Sequence, residues 1–98
     1  MYTSVWELVR SAESIPFPEK NEVLDNLRNT ATGFIKKEVA LSNNNLTKLI
    51  KTRWDSEESA VNFLNNNFEL LEQVNRVLAI YCEENNISIT RSVENTWI

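Results

Sequence analysis

The sequence predicts an α+β protein in which a four-stranded antiparallel sheet carries two helices on one face. Patterns typical of strands and helices follow the order strand, helix, strand, strand, helix, strand. An asparagine-rich turn separates the second and third strands, and capping signals mark the helix ends. Compact domains with this order usually form the ferredoxin-like βαββαβ sandwich. Residues 1–98 are therefore expected to form a single ferredoxin-like domain.

The first ten residues favour a strand because Tyr, Thr, Val and Trp are frequent in them. A helix is the alternative, with Val5, Leu8 and Val9 as its apolar stripe. If the segment is a strand, its side chains alternate between two faces. The two sets are Thr3, Val5, Glu7 and Val9, and Tyr2, Ser4, Trp6 and Leu8.

A first helix is predicted over residues 18–31. Pro18 suits the first turn of a helix, and Glu19 suits the positive end of the helix dipole. Gly33 follows, where a left-handed C-terminal cap is expected. The apolar stripe of this helix comprises Val23, Leu24, Leu27 and Ala31.

Two strands over 34–41 and 46–54 are predicted to form a hairpin. The sequence "SNNN" between them favours a turn, because Asn tolerates left-handed backbone conformations. Asp55 and Glu58 have the spacing of a capping box, which predicts a helix start near Ser56.

The second helical region is expected to run from that start to about residue 84. Residues 65–67 mark a kink or a short break in it, and apolar residues at helical spacing continue afterwards. The β-branched segment 87–93 predicts the last strand. The final residues "ENTWI" form a tail, from which Trp97 is either disordered or latches onto a partner subunit.

We predict that one sheet face, left uncovered by the helices, mediates a homodimer. The helix-covered face is assigned apolar residues that form a core by themselves, including Val5, Val9, Ile50 and Trp54. Exposed aromatic patches usually mark interfaces, and C2 dimers are the commonest closed assemblies. The opposite face would carry Tyr2, Trp6, Leu8, Phe34, Ala40 and Leu49, and the predicted dimer face is Tyr2, Trp6, Phe34 and Leu49.

The segment "TRWDSEESAVNFL", residues 52–64, resembles the antibiotic-biosynthesis-monooxygenase-like proteins of the dimeric α+β barrel superfamily. Those proteins often end the third strand with Trp, followed by a polar corner, a Ser and an acidic helix start. Trp54, Ser56, Glu57 and Phe63 match this pattern. The resemblance implies a ferredoxin-like fold, a homodimer and cofactor-independent oxidation of a small aromatic substrate. The family's frequent His in the following helix is absent, and Trp54 has two interpretations, core filling and ligand binding.

The composition removes several classes of site. The chain contains no His, one Gly and one Cys, so His ligands, thiolate zinc sites and glycine-rich phosphate loops are excluded. Cys82 is interpreted as a half-buried structural thiol. The pairs Glu57/Glu58 and Glu83/Glu84 do not form acid–base dyads, because adjacent helical residues do not face each other. No catalytic, cofactor-binding or metal-binding residue is predicted, and the ligand-binding residues are unknown.

The charge pattern argues against nucleic acid as a partner. The formal net charge is −4, which disfavours nonspecific binding to nucleic acid or anionic membranes. RNA binding by the sheet stays as an alternative, because basic residues could cluster on the sheet with aromatic residues nearby. These basic residues are Lys36, Lys37, Lys48, Lys51, Arg53 and Arg91.

Three functions are therefore predicted, in order of preference. The first is a noncatalytic ligand-binding or protein-interaction module that forms a homodimer and takes a small apolar ligand. The second is a cofactor-independent monooxygenase-like enzyme, and the third is an RNA-binding sheet. No leader or membrane-spanning run is visible, so we expect a soluble cytoplasmic protein.

Overall fold

The computed structural model describes residues 1–95. These residues form four strands and three helices. Trp97, predicted to be disordered or to contact a partner subunit, lies outside the described residues. The elements are β1 (Tyr2–Val9), α1 (Glu22–Asn29), β2 (Phe34–Leu41), β3 (Thr47–Trp54), α2 (Glu57–Asn66), α3 (Phe68–Glu84) and β4 (Ser88–Asn95).

The strands form one sheet in the order β2-β3-β1-β4, and β1 pairs antiparallel with both β3 and β4. β2 pairs antiparallel with β3. The helices pack on one face of this sheet, which confirms the ferredoxin-like α+β prediction. The second helical region is interrupted at Asn67, where α2 ends and α3 begins, so three helices replace the expected two.

The first helix starts at Glu22 rather than at residue 18, whereas α2 starts next to Ser56 as predicted. Asn21 caps α1, and its side chain accepts a hydrogen bond from the backbone N–H of Leu24 at 2.9 Å. Pro18 therefore lies outside the helix. Ser56, rather than Asp55, caps α2 by accepting from the N–H of Ser59 at 3.2 Å. The predicted helices form although their caps differ from the predicted ones, because the segment before each helix contains more than one residue type that caps well.

The face assignment of β1 was wrong. Leu8 is buried with Cys82 of α3, and Trp6 packs against the same cluster. Tyr2 packs on the cluster that contains Trp54. The even-numbered residues of β1 therefore point toward the helices, and Val5 lies on the opposite, open face. A strand shows its period of two in the sequence, but two apolar faces do not reveal which one is covered.

Phe34 also lies on the helix-covered side. A register irregularity between Phe34 and Lys36 shifts the start of β2 relative to its partner, so Phe34 pairs with Trp54. The two rings meet edge to face with centroids 5.5 Å apart. Of the four residues predicted for the dimer face, Tyr2, Trp6 and Phe34 thus pack under the helices, and Leu49 lies on the open face.

The open face is crossed by ion pairs, which explains two buried residues there. Thr3 is 0% exposed and Val5 6% exposed although no helix covers them. Lys51 of β3 and Glu94 of β4 flank these positions on either side of β1, and they form an ion pair of 3.5 Å. Arg53 lies over Thr3, with Nη1 3.5 Å from its Oγ1. Long charged side chains exclude water from short ones in this way.

Within residues 1–95, no helix is both long and apolar enough to cross a lipid bilayer.

Candidate functional site

The corner after β3 is a closed core. Trp54 is 4% exposed and belongs to a buried cluster with Leu24, Ala60 and Phe63. Its ring centroid lies 5.3 Å from that of Phe63, in addition to the edge contact with Phe34. Aromatic pairs at such distances stabilise a core beyond the area they bury. Trp54 therefore fills the core, and no free ring face is left for a ligand.

Gly33 allows this corner to close. Its φ is +84°, a left-handed conformation that side chains rarely adopt. A Cβ atom there would collide with the side chains of Ser59 and Asp55. The carbonyl of Gly33 also accepts a hydrogen bond from the N–H of Asp55 at 2.8 Å. Gly33 thus lets the start of β2 pack closely against the start of α2. It does not cap α1, because that helix ends three residues earlier at Thr30.

A small cavity of about 290 Å³ lies between α1 and α2. Its lining is uncharged and rich in amides, and the Phe63 side chain contributes to it. The cavity is open to solvent, and two of its asparagines, Asn66 and Asn67, belong to the predicted break between α2 and α3. The lining residues are Leu27, Thr30, Ala31, Thr32, Ser59, Asn62, Phe63, Asn66 and Asn67.

A larger cavity of about 420 Å³ lies beside α1 and carries charge. Asp25 accepts from Lys37 Nζ at 3.1 Å and from Arg28 at 2.9 Å. Partial burial raises the pKa of the Asp25 carboxyl, but hydrogen bonds and charges from Lys37 and Arg28 together lower it below its ordinary value. A carboxylate held ionised by two cations is a poor proton acceptor at neutral pH. This group therefore fixes α1 to β2 and does not provide general-base chemistry.

The opposite end of the helix-facing surface is built around Phe17. The Arg10 guanidinium lies 4.2 Å from the centroid of the Phe17 ring, and the Lys48 ammonium lies 5.7 Å from it. Arg10 donates to the carbonyl of Asn45 through Nε and Nη2, at 2.9 and 2.6 Å, and to that of Ile15 at 2.9 Å. These bonds hold the segment after β1 against the β2–β3 turn.

Lys48 is the exceptional cation of this region. It stands opposite Leu8 and Leu41 in the sheet, so it shares the helix-facing side. Burial lowers the pKa of its ammonium, and the positive charges of Lys37 and Arg10 lower it further. Among residues 1–95, no carboxylate forms an ion pair or hydrogen bond with it. The sequence could have predicted the face on which Lys48 lies, because Lys48 shares the period-two face of Ile50 and Trp54.

Apolar side chains on the outer strands of the same surface are left uncovered. Val39 and Leu41 of β2 are each 54% exposed, and Val93 of β4 is 48% exposed. Val39 stands opposite Ile50, whose side chain packs on the buried cluster of Leu8. The helices therefore cover the central strands and leave an apolar strip along β2 and one exposed valine on β4. Uncovered apolar strips of this kind are typical of interaction surfaces.

The remaining sequence candidates do not assemble into a site. The Cys82 thiol is buried, and burial raises its pKa, so it is a structural thiol of low reactivity, as predicted. The six basic residues of the sheet divide between its faces. Lys36, Lys51 and Arg53 pair with carboxylates on the open face. Arg91 lies 5.5 Å from the ring of Trp6 on the helix-facing side.

Known structures share this fold over almost the whole chain. A proposed antibiotic biosynthesis monooxygenase from Deinococcus radiodurans is 17% identical, with a TM-score of 0.62, covering 100% of this chain and 94% of the other. A cofactor-independent oxygenase from Streptomyces nogalater is 10% identical, with a TM-score of 0.61 and coverages of 99% and 93%. A monooxygenase from Streptomyces coelicolor, solved with nanaomycin D, is 10% identical, with a TM-score of 0.59 and coverages of 99% and 89%.

No family model matches the sequence, and no curated protein is found to match it. Identities of 10–17% relate folds and do not transfer activities. The resemblance predicted from "TRWDSEESAVNFL" is confirmed at the level of the fold, and this chain has the architecture of the antibiotic-biosynthesis-monooxygenase-like proteins.

Proposed function

We propose that this protein is a noncatalytic binding module that takes a small apolar ligand on the helix-facing side of its sheet and forms a homodimer through the open side. The observation that carries the proposal is the half-exposed apolar strip of Val39 and Leu41 beside Ile50. Burial of such side chains by a ligand is favourable by roughly 25 cal/mol per Å² of apolar area. The strip adjoins Lys48, which stands opposite Leu41 and whose ammonium lies over the Phe17 ring.

Binding to the strip is tested with 1-decanol, a neutral apolar probe, by isothermal titration calorimetry. We expect saturable binding that Leu41→Gln weakens several-fold, because the substitution puts an amide in the strip. Leu64→Gln is the matched control, since Leu64 is a partly exposed leucine on α2, away from the strip. Absence of saturable binding, or equal losses in both variants, would contradict the proposed ligand site.

An oxygenase is the second candidate, and the names of three similar structures favour it. The enclosure of Trp54 and the absence of His from the sequence argue against it. Incubation with an anthrone or hydroquinone under oxygen decides between them. We expect no oxidation above the uncatalysed background. Product formation that Asn62→Ala or Asn66→Ala abolishes would place an active site in the amide-lined cavity and reverse the order of the two functions.

The homodimer is proposed to use the end of the open face beyond the ion pairs. Val9 and Leu49 lie there, and Ala40 stands opposite Leu49. We expect light scattering at high micromolar concentration to give twice the mass of one chain, and Leu49→Arg to give a monomer. Leu41→Arg, on the other face, should leave the dimer intact. A monomeric wild-type protein under these conditions would contradict the assembly.

A further inference from the structure

We propose that Lys48 is the anion-binding group of this surface, and that the ligand is a small amphipathic monoanion whose acidic group meets the Lys48 ammonium while its apolar part lies along Val39 and Leu41. The inference rests on the proposed function and names the chemical class of its ligand. It follows from three independent features of the region: the absence of a carboxylate partner, the placement of the other cations, and the apolar surroundings.

The first feature is the unused hydrogen-bonding capacity of Lys48. An ammonium group has three donors. Within residues 1–95, the ion pairs of the other sheet lysines are all made with Asp25, Glu38 or Glu94. Lys48 has none of these partners, and its ammonium lies over the face of the Phe17 ring. A half-buried cation without a counter-ion is unfavourable, so an anion that reached it would be stabilised.

The second feature is the arrangement of the two neighbouring cations. The Lys37 ammonium is held by Asp25, and the Arg10 donors are directed to backbone carbonyls of Asn45 and Ile15. Both charges are therefore fixed in place by other groups. Each contributes a positive potential at Lys48, which adds to burial in lowering the pKa of its ammonium, without offering it a partner. Local positive potential in a partly apolar setting attracts an anion.

The third feature is what surrounds the ammonium. Lys48 is flanked across the sheet by Leu8 and Leu41, and Ile50 follows it on the same face. Phe17 lies over it, and Val39 continues the apolar strip along the edge strand. One cation at the end of an apolar strip matches a ligand with one negative group and an apolar body. A multiply charged polar anion would leave this strip uncovered.

The proposal is tested with three probes that share a ten-carbon chain and differ in charge: decanoate, 1-decanol and decyltrimethylammonium, all below their micelle concentrations. Isothermal titration calorimetry at neutral pH and low salt should show decanoate binding at least tenfold more tightly than 1-decanol. Lys48→Met keeps an unbranched side chain only one atom shorter and removes the charge. We expect it to reduce decanoate affinity at least tenfold and to leave 1-decanol affinity nearly unchanged.

Lys36→Met is the matched control, because it removes one positive charge from the open face of the neighbouring strand. It should change decanoate affinity less than twofold. Selective ¹³C labelling of lysine gives a second readout, since bound decanoate should raise the pKa of Lys48. Equal affinity for decanoate and 1-decanol, or equal effects of Lys48→Met and Lys36→Met, would overturn the anion assignment and leave the apolar binding function standing. Failure of all three probes to bind would overturn both.

Discussion

The two ends of the helix-facing sheet surface are built from similar residues but closed in different ways. At the Trp54 end, side chains of all three helices meet Trp54, Phe34 and Tyr2 in one cluster. At the Lys48 end, the covering elements are the last turns of α3 and the irregular segment with Phe17. The first end fills its interior with rings, whereas the second leaves apolar side chains and one cation accessible. The difference indicates that helix coverage, more than composition, decides which end of this sheet is available to a ligand.

The largest expected effect is at the closed end. Phe63→Ala should lower the free energy of unfolding by about 3–5 kcal/mol, because it opens a cavity beside Trp54. Val39→Ala, in the uncovered strip, should cost less than about 1 kcal/mol, since its side chain is already half exposed. Urea denaturation followed by tryptophan fluorescence measures both. Similar losses for the two variants would remove the distinction between the ends.

Gly33→Ala tests how tightly the closed end is assembled. We expect a loss of about 1–3 kcal/mol, because a non-glycine residue at positive φ is strained and the added methyl group meets Ser59 and Asp55. Thr32→Ala, one residue earlier and exposed, is the control and should cost less than about 0.5 kcal/mol. The same denaturation experiment applies. An unchanged midpoint for Gly33→Ala would mean that the corner tolerates separation of β2 from α2.

The cap of α2 offers a smaller effect at the same corner. Ser56→Ala should cost about 1 kcal/mol, because the N–H of Ser59 loses its acceptor. Thr30→Ala, at the C-cap of α1, is a suitable control because its hydroxyl bonds are at 3.2 and 3.5 Å and it is exposed. Thermal unfolding by circular dichroism compares them. A greater loss for Thr30→Ala would contradict the assignment of Ser56 as the cap.

Asp25 should make stability depend on pH in the acidic range. Its folded-state pKa is lowered, so the carboxylate stabilises the fold above its ordinary pKa, and this contribution is lost as the pH falls through the folded value. Asp25→Asn should therefore reduce the difference in unfolding free energy between pH 6 and pH 3. Glu72→Gln, an exposed residue paired with Arg76, is the control. An unaltered pH profile for Asp25→Asn would show that Lys37 and Arg28 do not hold this carboxylate.

Lys48 should give the smallest effect, with the opposite dependence on pH. Its folded-state pKa is lowered, so the unfolded chain binds more protons between that value and the ordinary lysine value. Stability should consequently rise as the pH increases through this alkaline interval, and Lys48→Met should abolish the rise. At neutral pH the substitution should change stability by no more than about 0.5 kcal/mol. A decrease in stability with pH that Lys48→Met removes would contradict the placement of this cation.

The sequence predicted the elements and their order because each has a strong local signal. The strand, turn and helix patterns depend on neighbouring residues only. The face of β1 could not be predicted, because Val5 and Val9 on one side are as apolar as Trp6 and Leu8 on the other. Thr3 and Val5 are buried by the Lys51–Glu94 ion pair, which joins residues 43 apart in the chain. Phe34 was misplaced by the register irregularity after it, which has no clear mark in the sequence.

The candidate site was less predictable than the fold for a related reason. The aromatic corner at Trp54 has a recognisable local pattern in the sequence, yet its rings are enclosed in the core. The accessible surface joins Phe17, Val39 and Lys48, which come from three separate segments. The predicted covered face of β3 was correct, and it already placed Lys48 beside Ile50. Local sequence patterns do not show that the segment after β1, which carries Phe17, packs against Lys48 of β3.

The most direct test of the difference between the two ends is methyl NMR of protein labelled at Ile, Leu and Val, titrated with decanoate. We expect the methyl resonances of Val39, Leu41 and Ile50 to shift with a common saturation curve, while those of Leu24 and Leu71 beside Trp54 stay in place. Shifts that appear first at Leu24 and Leu71, or that spread evenly over both ends without saturating, would contradict this prediction.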